Sequence, residues 1–504
     1  VVFCVKSSTP ETLRATFASS GNYEDRCAVP RVGSSPYTGA AYPDRQGTLA
    51  DERNWLRSWS DETYLWYREI PALNAANYLT ATSFFDALKT PALALSGAAK
   101  DRFHFYDSTD AVEAQRVGTS ASYGIKWSLV RTSPPRKLLV AVVDTGSPAA
   151  LADVARGASI LSIDGISLVN GSNVSVLNRG IYPQNPGESH TFELLDVGAT
   201  ASRTVTLTAQ SLNIQPVPRS GYVETPSGRV GYLALTTFGT YASEAALANA
   251  FAGLQGSNLK DLVLDLRYNG GGYLDISAQL AYMIAGPART AGKTYEKTRF
   301  NDKLPYGLFG SSAADVLTPF HATTLGFSVS RGQPLPTLNL GRVYVLTSGS
   351  SCSASEALIN GLRGIGVEVI LIGSTTCGKP YGFYATDNCG TTYYSIQFTG
   401  VNERGEGDYV EGFGATCAAS DDVTKALGDP AEQQFAAALS YRQTGVCAPA
   451  LSDSKRTTPD GGEGALRLSR VQEETVKLWR VPTPRRNDMP LIFPRPADDL
   501  GRGR

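Results

Sequence analysis

Histidine is scarce in this chain. His104, His190 and His321 are the only three in 504 residues, and none lies in the serine-rich or glycine-rich segments. Long apolar runs are missing as well: no stretch of about 18 apolar residues exists to build a membrane-spanning helix. Charge of one sign is missing, since the net charge is −1, so composition makes no electrostatic case for nucleic acid or an anionic membrane. The seven cysteines contain no C-x-x-C and meet no paired histidines, so no zinc pattern is present, and neither a metal nor a cofactor is expected. Neither G-x-S-x-G nor H-E-x-x-H occurs. The cysteines read instead as disulfides formed in an oxidising compartment, periplasmic or secreted, with at least one thiol left over. No targeting peptide is legible in the opening VVFCVKSSTP.

What is present divides the chain. Residues 1–48 are a loop-rich arm of Ser, Thr, Gly and Pro. Residues 49–118 form a helical segment: Leu56, Trp59, Thr63, Trp66 and Ile70 recur at helical spacing up to Pro71, and Phe84, Phe85 and Leu88 mark a second helix. The tryptophans read as core. Residues 119–214 change to strands: LLVAVVD, then a turn and short helix in TGSPAALADV, two strands around an Asp-Gly turn in GASILSIDGISL, and the alternating pair HTFELLDV and SRTVTLTAQ. That order resembles a PDZ domain, with Ala158 and Ser159 standing where the usual Gly/Asp pair is found. The resemblance implies capture of a peptide C-terminus by strand addition, its carboxylate held in SYGIKW by Tyr123, Gly124 and Ile125. Residues 215–447 alternate strands and helices, as a layered α/β domain does, and residues 448–504 form a Pro/Arg-rich tail.

Residues 349–358, GSSCSASEAL, crowd Ser350, Ser351, Ser353 and Ser355 ahead of a helix-forming run. Such a serine is either a nucleophile or a helix cap. A nucleophile needs a base, and histidine does not supply one here. One S-x-x-K, Ser452–Lys455, sits in a hydrophilic stretch that cannot desolvate a lysine. Lys379 is a better candidate. VYVLTS and VEVILIG should be neighbouring strands, which brings Ser353 and Lys379, 26 residues apart, to one sheet edge. Only the neutral amine accepts a proton, and at an ordinary pKa of ~10.4 roughly one lysine in 2,500 is neutral at pH 7, so burial must lower that value. A third segment, DLRYNGGGYL, ends a strand with three glycines whose N–H groups suit a developing oxyanion.

Taken together, VLDLRYNGGG, SASEALINGL and GSTTCGKPYGF behind a PDZ-like segment resemble the C-terminal processing peptidases, or tail-specific proteases, over roughly residues 50–445. The resemblance implies an α/β, ClpP/crotonase-like layered core with an inserted PDZ-like domain and an N-terminal helical segment. It implies a serine endopeptidase acting near protein C-termini, with Ser353 as nucleophile and Lys379 as base. Oxyanion donors would be Ala354 and either Gly271 or Gly272, and the partners proteins or peptides with free C-termini. Ser355 and Glu356 would cap and orient the helix. Many members carry a glutamine four residues after the lysine; here Phe383 stands there, leaving Asp387, Asn388, Gln397 or Glu411 to orient the lysine. A Cys377–Cys389 disulfide is expected to brace the lysine turn, with Cys352–Cys377 as the competing pair. The alternative functions are a non-catalytic binder of C-terminal peptides or apolar ligands on the same fold, and an esterase or transferase.

Overall fold

The computed structural model describes residues 17–448. The tail from residue 449, the Ser452–Lys455 motif and Cys4 lie outside the described residues. Helix α1 (Leu49–Thr63) starts at a capping box in which Thr48 and Asp51 satisfy each other's backbone N–H groups. Trp55 and Trp59, four residues apart on it, stack at 5.2 Å and join Phe85 of α2 (Ala81–Ala87) in an aromatic core. The helical spacing that predicted one helix to Ile70 is overruled after Thr63. There the Leu65 N–H leaves the helix for the Ile396 carbonyl at 2.7 Å, and Trp66 and Ile70 flank a separate 3-10 turn. Strand β1 (Phe105–Ser108) follows.

An antiparallel sheet comes next: β2 (Ile125–Arg131), β3 (Lys137–Val143), β4 (Ser159–Ile163), β5 (Ser189–Leu195) and β6 (Arg203–Thr208), in the order β6-β5-β4-β3-β2. Helix α3 (Val174–Ile181), between β4 and β5, contributes Leu177 and Ile181 to its core. The alternating pattern of the β5–β6 pair turns Phe192 inward opposite Val205.

The larger unit is built on a six-stranded sheet. Its members are β7 (Arg219–Val223), β8 (Val230–Ala234), β9 (Asp261–Asp265) and, after helices α4 (Ala242–Leu254) and α5 (Leu274–Ala285) and strands β10 (Thr294–Phe300) and β11 (Leu317–Pro319), β12 (Arg342–Thr347). Helix α6 (Ala354–Gly364) leads into β13 (Glu368–Gly373). β8, β9, β12 and β13 are parallel neighbours. Covered on both faces, they read as unbroken Val/Ile/Leu runs rather than alternating ones. One face buries Leu264, Val345 and Leu371 under α5 and α6. The other buries Leu346 and Ile372 under Phe435 of helix α7 (Gln433–Thr444).

Four short strands, β14 (Tyr381–Gly382), β15 (Thr386–Asn388), β16 (Thr391–Tyr394) and β17 (Phe398–Val401), follow β13, and β18 (Cys417–Ala418) closes the large sheet beside it. The segment TYYSIQF splits between two sheets: β16 pairs with β1 of the N-terminal segment, and β17 pairs with β10 and β14. The lysine-bearing region is thereby laced to the beginning of the chain.

Candidate active site

The C-terminal ends of β9, β12 and β13 open at one edge of the large sheet. Three loops leave that edge: the glycine loop 266–273, the serine loop 348–353 and the lysine loop 374–380. Side chains of the serine loop lash it to the glycine loop. Ser351 Oγ donates to the Leu266 carbonyl at 2.8 Å, and Ser355 Oγ to the Asn269 carbonyl at 2.9 Å. The Cys352 N–H reaches the same Asn269 carbonyl at 3.2 Å. Ser351 and Ser355 thus have structural work, and Ser350 is exposed.

Ser353 stands between them with φ +55° and ψ −114°, a backbone conformation costly for any residue with a Cβ, and its residue is fully buried. It is the N-cap of α6. Ala354, the first helical residue, has no residue four back inside the helix to accept its N–H.

Glu356, read from the sequence as a helix-capping residue, joins the serine and lysine loops. Its buried carboxylate accepts from the Ser353 N–H (3.1 Å), Thr376 Oγ1 (2.6 Å), the Gly378 N–H (2.8 Å) and the Lys379 N–H (2.8 Å). Burial pushes the Glu356 carboxyl above the ordinary range, against the pull of these four donors. A disulfide between Cys352 and Cys377, with Cα atoms 5.2 Å apart, makes a second, covalent joint between the same loops.

The expected Cys377–Cys389 link is therefore corrected. Cys389 pairs with Cys27, and Cys417 with Cys447. The reason is topological. Cys389 lies in the β15–β16 turn, which is drawn to the N-terminal arm, where Asn388 Oδ1 accepts the Asp25 N–H at 2.8 Å. Cys377 follows the strand that runs beside β12.

Lys379 is fully buried. Its Nζ lies 4.1 Å from the ring centroid of Phe383 and 5.3 Å from that of Phe103. The turn before it requires glycine: Gly378 has φ +82°, and a Cβ there would come within 2.2 Å of the Val410 carbonyl oxygen. Arg102 supports the turn from outside, donating to the Cys377 carbonyl at 2.9 Å. Of the residues considered for orienting the lysine, Asp387 accepts from Thr392 Oγ1, Asn388 from Asp25, and Gln397 from the Tyr384 N–H, while Glu411 is exposed.

In the glycine loop the two candidate donors differ. The Gly271 N–H is committed to Asn269 Oδ1 at 2.9 Å. Among the described residues the Gly272 N–H meets no acceptor. Gly272 backs so closely on Phe238 that a Cβ would fall 2.1 Å from its carbonyl carbon.

Tyr123, Gly124 and Ile125 belong to the antiparallel sheet unit. Tyr123 is a core residue, its ring against Phe192 and its hydroxyl on the Gly180 carbonyl. Gly124 is forced by φ +78° and by Ser147, whose Cβ lies 2.1 Å from where a Gly124 Cβ would sit. Its N–H is donated to Ser122 Oγ at 2.9 Å. The histidines serve elsewhere: His104 contacts the Phe85 carbonyl, His190 pairs with Asp164, and His321 pairs with Asp275.

Sequence reasoning did not find Phe103 or Arg102. Each lies more than 270 residues from the lysine turn and carries no local signal.

Residues 229–383 match the family model of peptidase family S41. A chloroplastic carboxyl-terminal-processing peptidase 2 of Arabidopsis thaliana is 30% identical over 172 residues, which is 33% of this chain and 32% of that protein. A chloroplastic C-terminal processing peptidase of Tetradesmus obliquus is 27% identical over 197 residues, 36% of this chain and 42% of that protein. The matched stretches thus span 32% to 42% of the length of these curated relatives. A crystal structure assigned to the S41 proteases, from Bacteroides fragilis, superimposes with a TM-score of 0.57 at 24% identity, covering 80% of this chain and 98% of that one. That likeness carries the α/β fold.

Proposed function

We propose, for a chain that carries a peptidase family S41 domain at residues 229–383, that it is a serine endopeptidase cleaving proteins or peptides near their C-termini. Lys379, as the neutral amine, takes the proton of Ser353 Oγ while Oγ bonds to the scissile carbonyl carbon. The oxyanion is received by the N–H groups of Ala354 and Gly272; Gly271, whose N–H is spent on Asn269, holds the loop in shape. The C–N bond then breaks, and the leaving amine takes the proton back from Lys379. Water, deprotonated by the Lys379 amine, bonds to the acyl carbon; the bond from that carbon to Oγ breaks, and Ser353 Oγ takes its proton back from the Lys379 ammonium.

One observation carries this reading. A single buried carboxylate, Glu356, binds the backbone N–H of both Ser353 and Lys379, so two loops far apart in sequence share one anchor beside a strained serine. Ser353 is in addition held, fully buried, at a positive φ, a strain that clusters at functional sites. The test is Ser353→Ala with fluorophosphonate labelling and a casein digest. Loss of both labelling and proteolysis, by a factor on the scale of ~10⁶ in rate, is expected. Activity retained above a few per cent would move the nucleophile elsewhere. A wild type that labels without cleaving protein would make it an esterase, and one that does neither a binder.

The PDZ-like sheet is proposed to take the substrate's terminal carboxylate at Gly124, the carboxylate displacing Ser122 Oγ from its N–H. Peptides differing only in a free or amidated C-terminus test this, and equal cleavage of both would end it. Three disulfides among the described residues support an oxidising, periplasmic or secreted setting. No helix of the described residues is long and apolar enough to cross a membrane.

A further inference from the structure

We propose that Phe103 and Phe383 are positioning residues for the Lys379 amine, acting through their two aromatic faces. The inference rests on Lys379 being the base. Nζ sits 4.1 Å from the centroid of Phe383 and 5.3 Å from that of Phe103, both within the roughly 6 Å over which a ring face attracts a cation. The two rings lie 280 residues apart in sequence (383 − 103). Phe103 precedes β1, and Phe383 follows β14 four residues after the lysine.

Neither ring is free to swing. Phe383 is fully buried, with Phe105 at 5.8 Å and Tyr394 at 5.3 Å. Phe103 has Tyr381 at 6.4 Å, and the Arg102 guanidinium lies 5.0 Å from its centroid. Their support is the same three-stranded pairing that ties β16 to β1. Two packed aromatic surfaces thus flank the amine.

This arrangement has a chemical consequence. Ring quadrupoles favour the ammonium over the neutral amine, whereas burial favours the neutral amine, so the two act in opposition on the group that must shed its proton. The titratable and charged groups around this turn are Glu356, which faces it from α6 through the Lys379 N–H, Arg102 on its outer carbonyls, the buried Asp101 that accepts the Phe103 N–H, Tyr381 just after it, and Asp408 and the buried Tyr409 on a later loop. Substituting a ring by an aliphatic side chain of similar bulk leaves all of these in place. It keeps the dryness and removes the quadrupole.

Three variants test the proposal: Phe383→Leu, Phe103→Leu and Phe383→Gln, each followed as kcat and KM against pH, with thermal unfolding to verify the fold. In Phe383→Leu the acid limb of the kcat profile should move to lower pH by about half a unit to one unit, since the ammonium loses its stabilising face. Its plateau kcat should fall about tenfold while KM stays within about twofold, since aim is lost and binding is not. Phe103→Leu should show the same changes, smaller. Phe383→Gln, which offers an amide oxygen to the amine, should keep kcat closer to wild type than Phe383→Leu does.

A folded Phe383→Leu with unchanged kcat and an unchanged acid limb overturns the proposal, and so does a rise in KM alone. If Phe383→Leu unfolds, Phe103→Leu alone decides on the same two readouts. Lys379→Ala separates the premises. If it stays active, the base assignment has failed; if it is dead while both leucine variants match wild type, only the aromatic role has failed.

Discussion

Ser353 holds a left-handed backbone that costs a non-glycine residue about 1–3 kcal/mol, and it holds it inside a fully buried junction. The surrounding bonds maintain it: the Ser351 and Ser355 hydroxyls fasten either side to the glycine loop, and Glu356 takes the N–H between them. At the same scale lies the sharpest test of the base. Lys379→Arg and Lys379→Ala should be equally inactive, each losing at least about 10³-fold in kcat, because a guanidinium keeps charge and reach but does not deprotonate at working pH. Activity of the arginine variant above that floor, in a steady-state peptide assay, would make the role of Lys379 electrostatic. The wild-type rate should rise with pH through the neutral to mildly alkaline range, since the reactive form is the deprotonated one.

The element that organises the site is the strand–loop–helix unit of β12 and α6 set beside β13. The Cys352–Cys377 bond pins the loop before α6 to the loop after β13. Cross-linking residues 25 apart removes about 3–4 kcal/mol of unfolded-chain entropy in the chain-entropy model. Replacing both cysteines by alanine should therefore lower the unfolding free energy in guanidinium by up to that amount. It should also lower kcat about tenfold, because only Glu356 and the Cys377 N–H bond to the Ser351 carbonyl then hold the two loops together. A double variant with reduced stability and intact kcat would show the link to be a staple without a catalytic share. Nearest-neighbour spacing in sequence pointed to Cys389 as the partner of Cys377. It failed because the turn bearing Cys389 is pulled into a different sheet, whose third strand is β1.

Across the whole molecule, Arg156 ties the antiparallel sheet unit to the base of the glycine loop. It donates to the Ala141 carbonyl in its own unit, and across the junction to the Tyr268 hydroxyl at 2.7 Å and Asp421 Oδ1 at 2.9 Å. Tyr268 is the residue before Asn269. Asp421 is shared with the fully buried Arg267, itself fixed by Asp265 and Glu432. Arg156→Ala should thus be felt at the glycine loop. We expect kcat on a cleaved peptide to fall five- to twentyfold, and stability to drop by about 1.5–3 kcal/mol, the range for hydrogen bonds to charged groups. Arg156→Lys should restore little, because one ammonium does not span three acceptors on two units. Unchanged kcat in a destabilised Arg156→Ala would assign the cluster to stability alone.

Local order was legible from the residues alone. The parallel Val/Ile/Leu strands, the Gly loop after β9, the serine-led start of α6 and the lysine turn after β13 follow from short-range rules: burial on both faces, freedom at glycine and helix capping. Those same rules placed Ser353 and Lys379 at one sheet edge, because a strand–helix–strand unit returns its strand ends to the same side. Other features depended on contacts between distant segments. The early end of α1 at Thr63 was decided by a backbone bond to Ile396. The Phe103 ring beside Lys379 and the arginine on its turn come from residues 102–103, and Glu356 became a joint only once β13 delivered the 376–379 loop to it. The choice of disulfide partners was decided in the same way. Sequence specifies what each segment prefers by itself; which distant group satisfies a buried charge, N–H or thiol is set when packing brings it within reach.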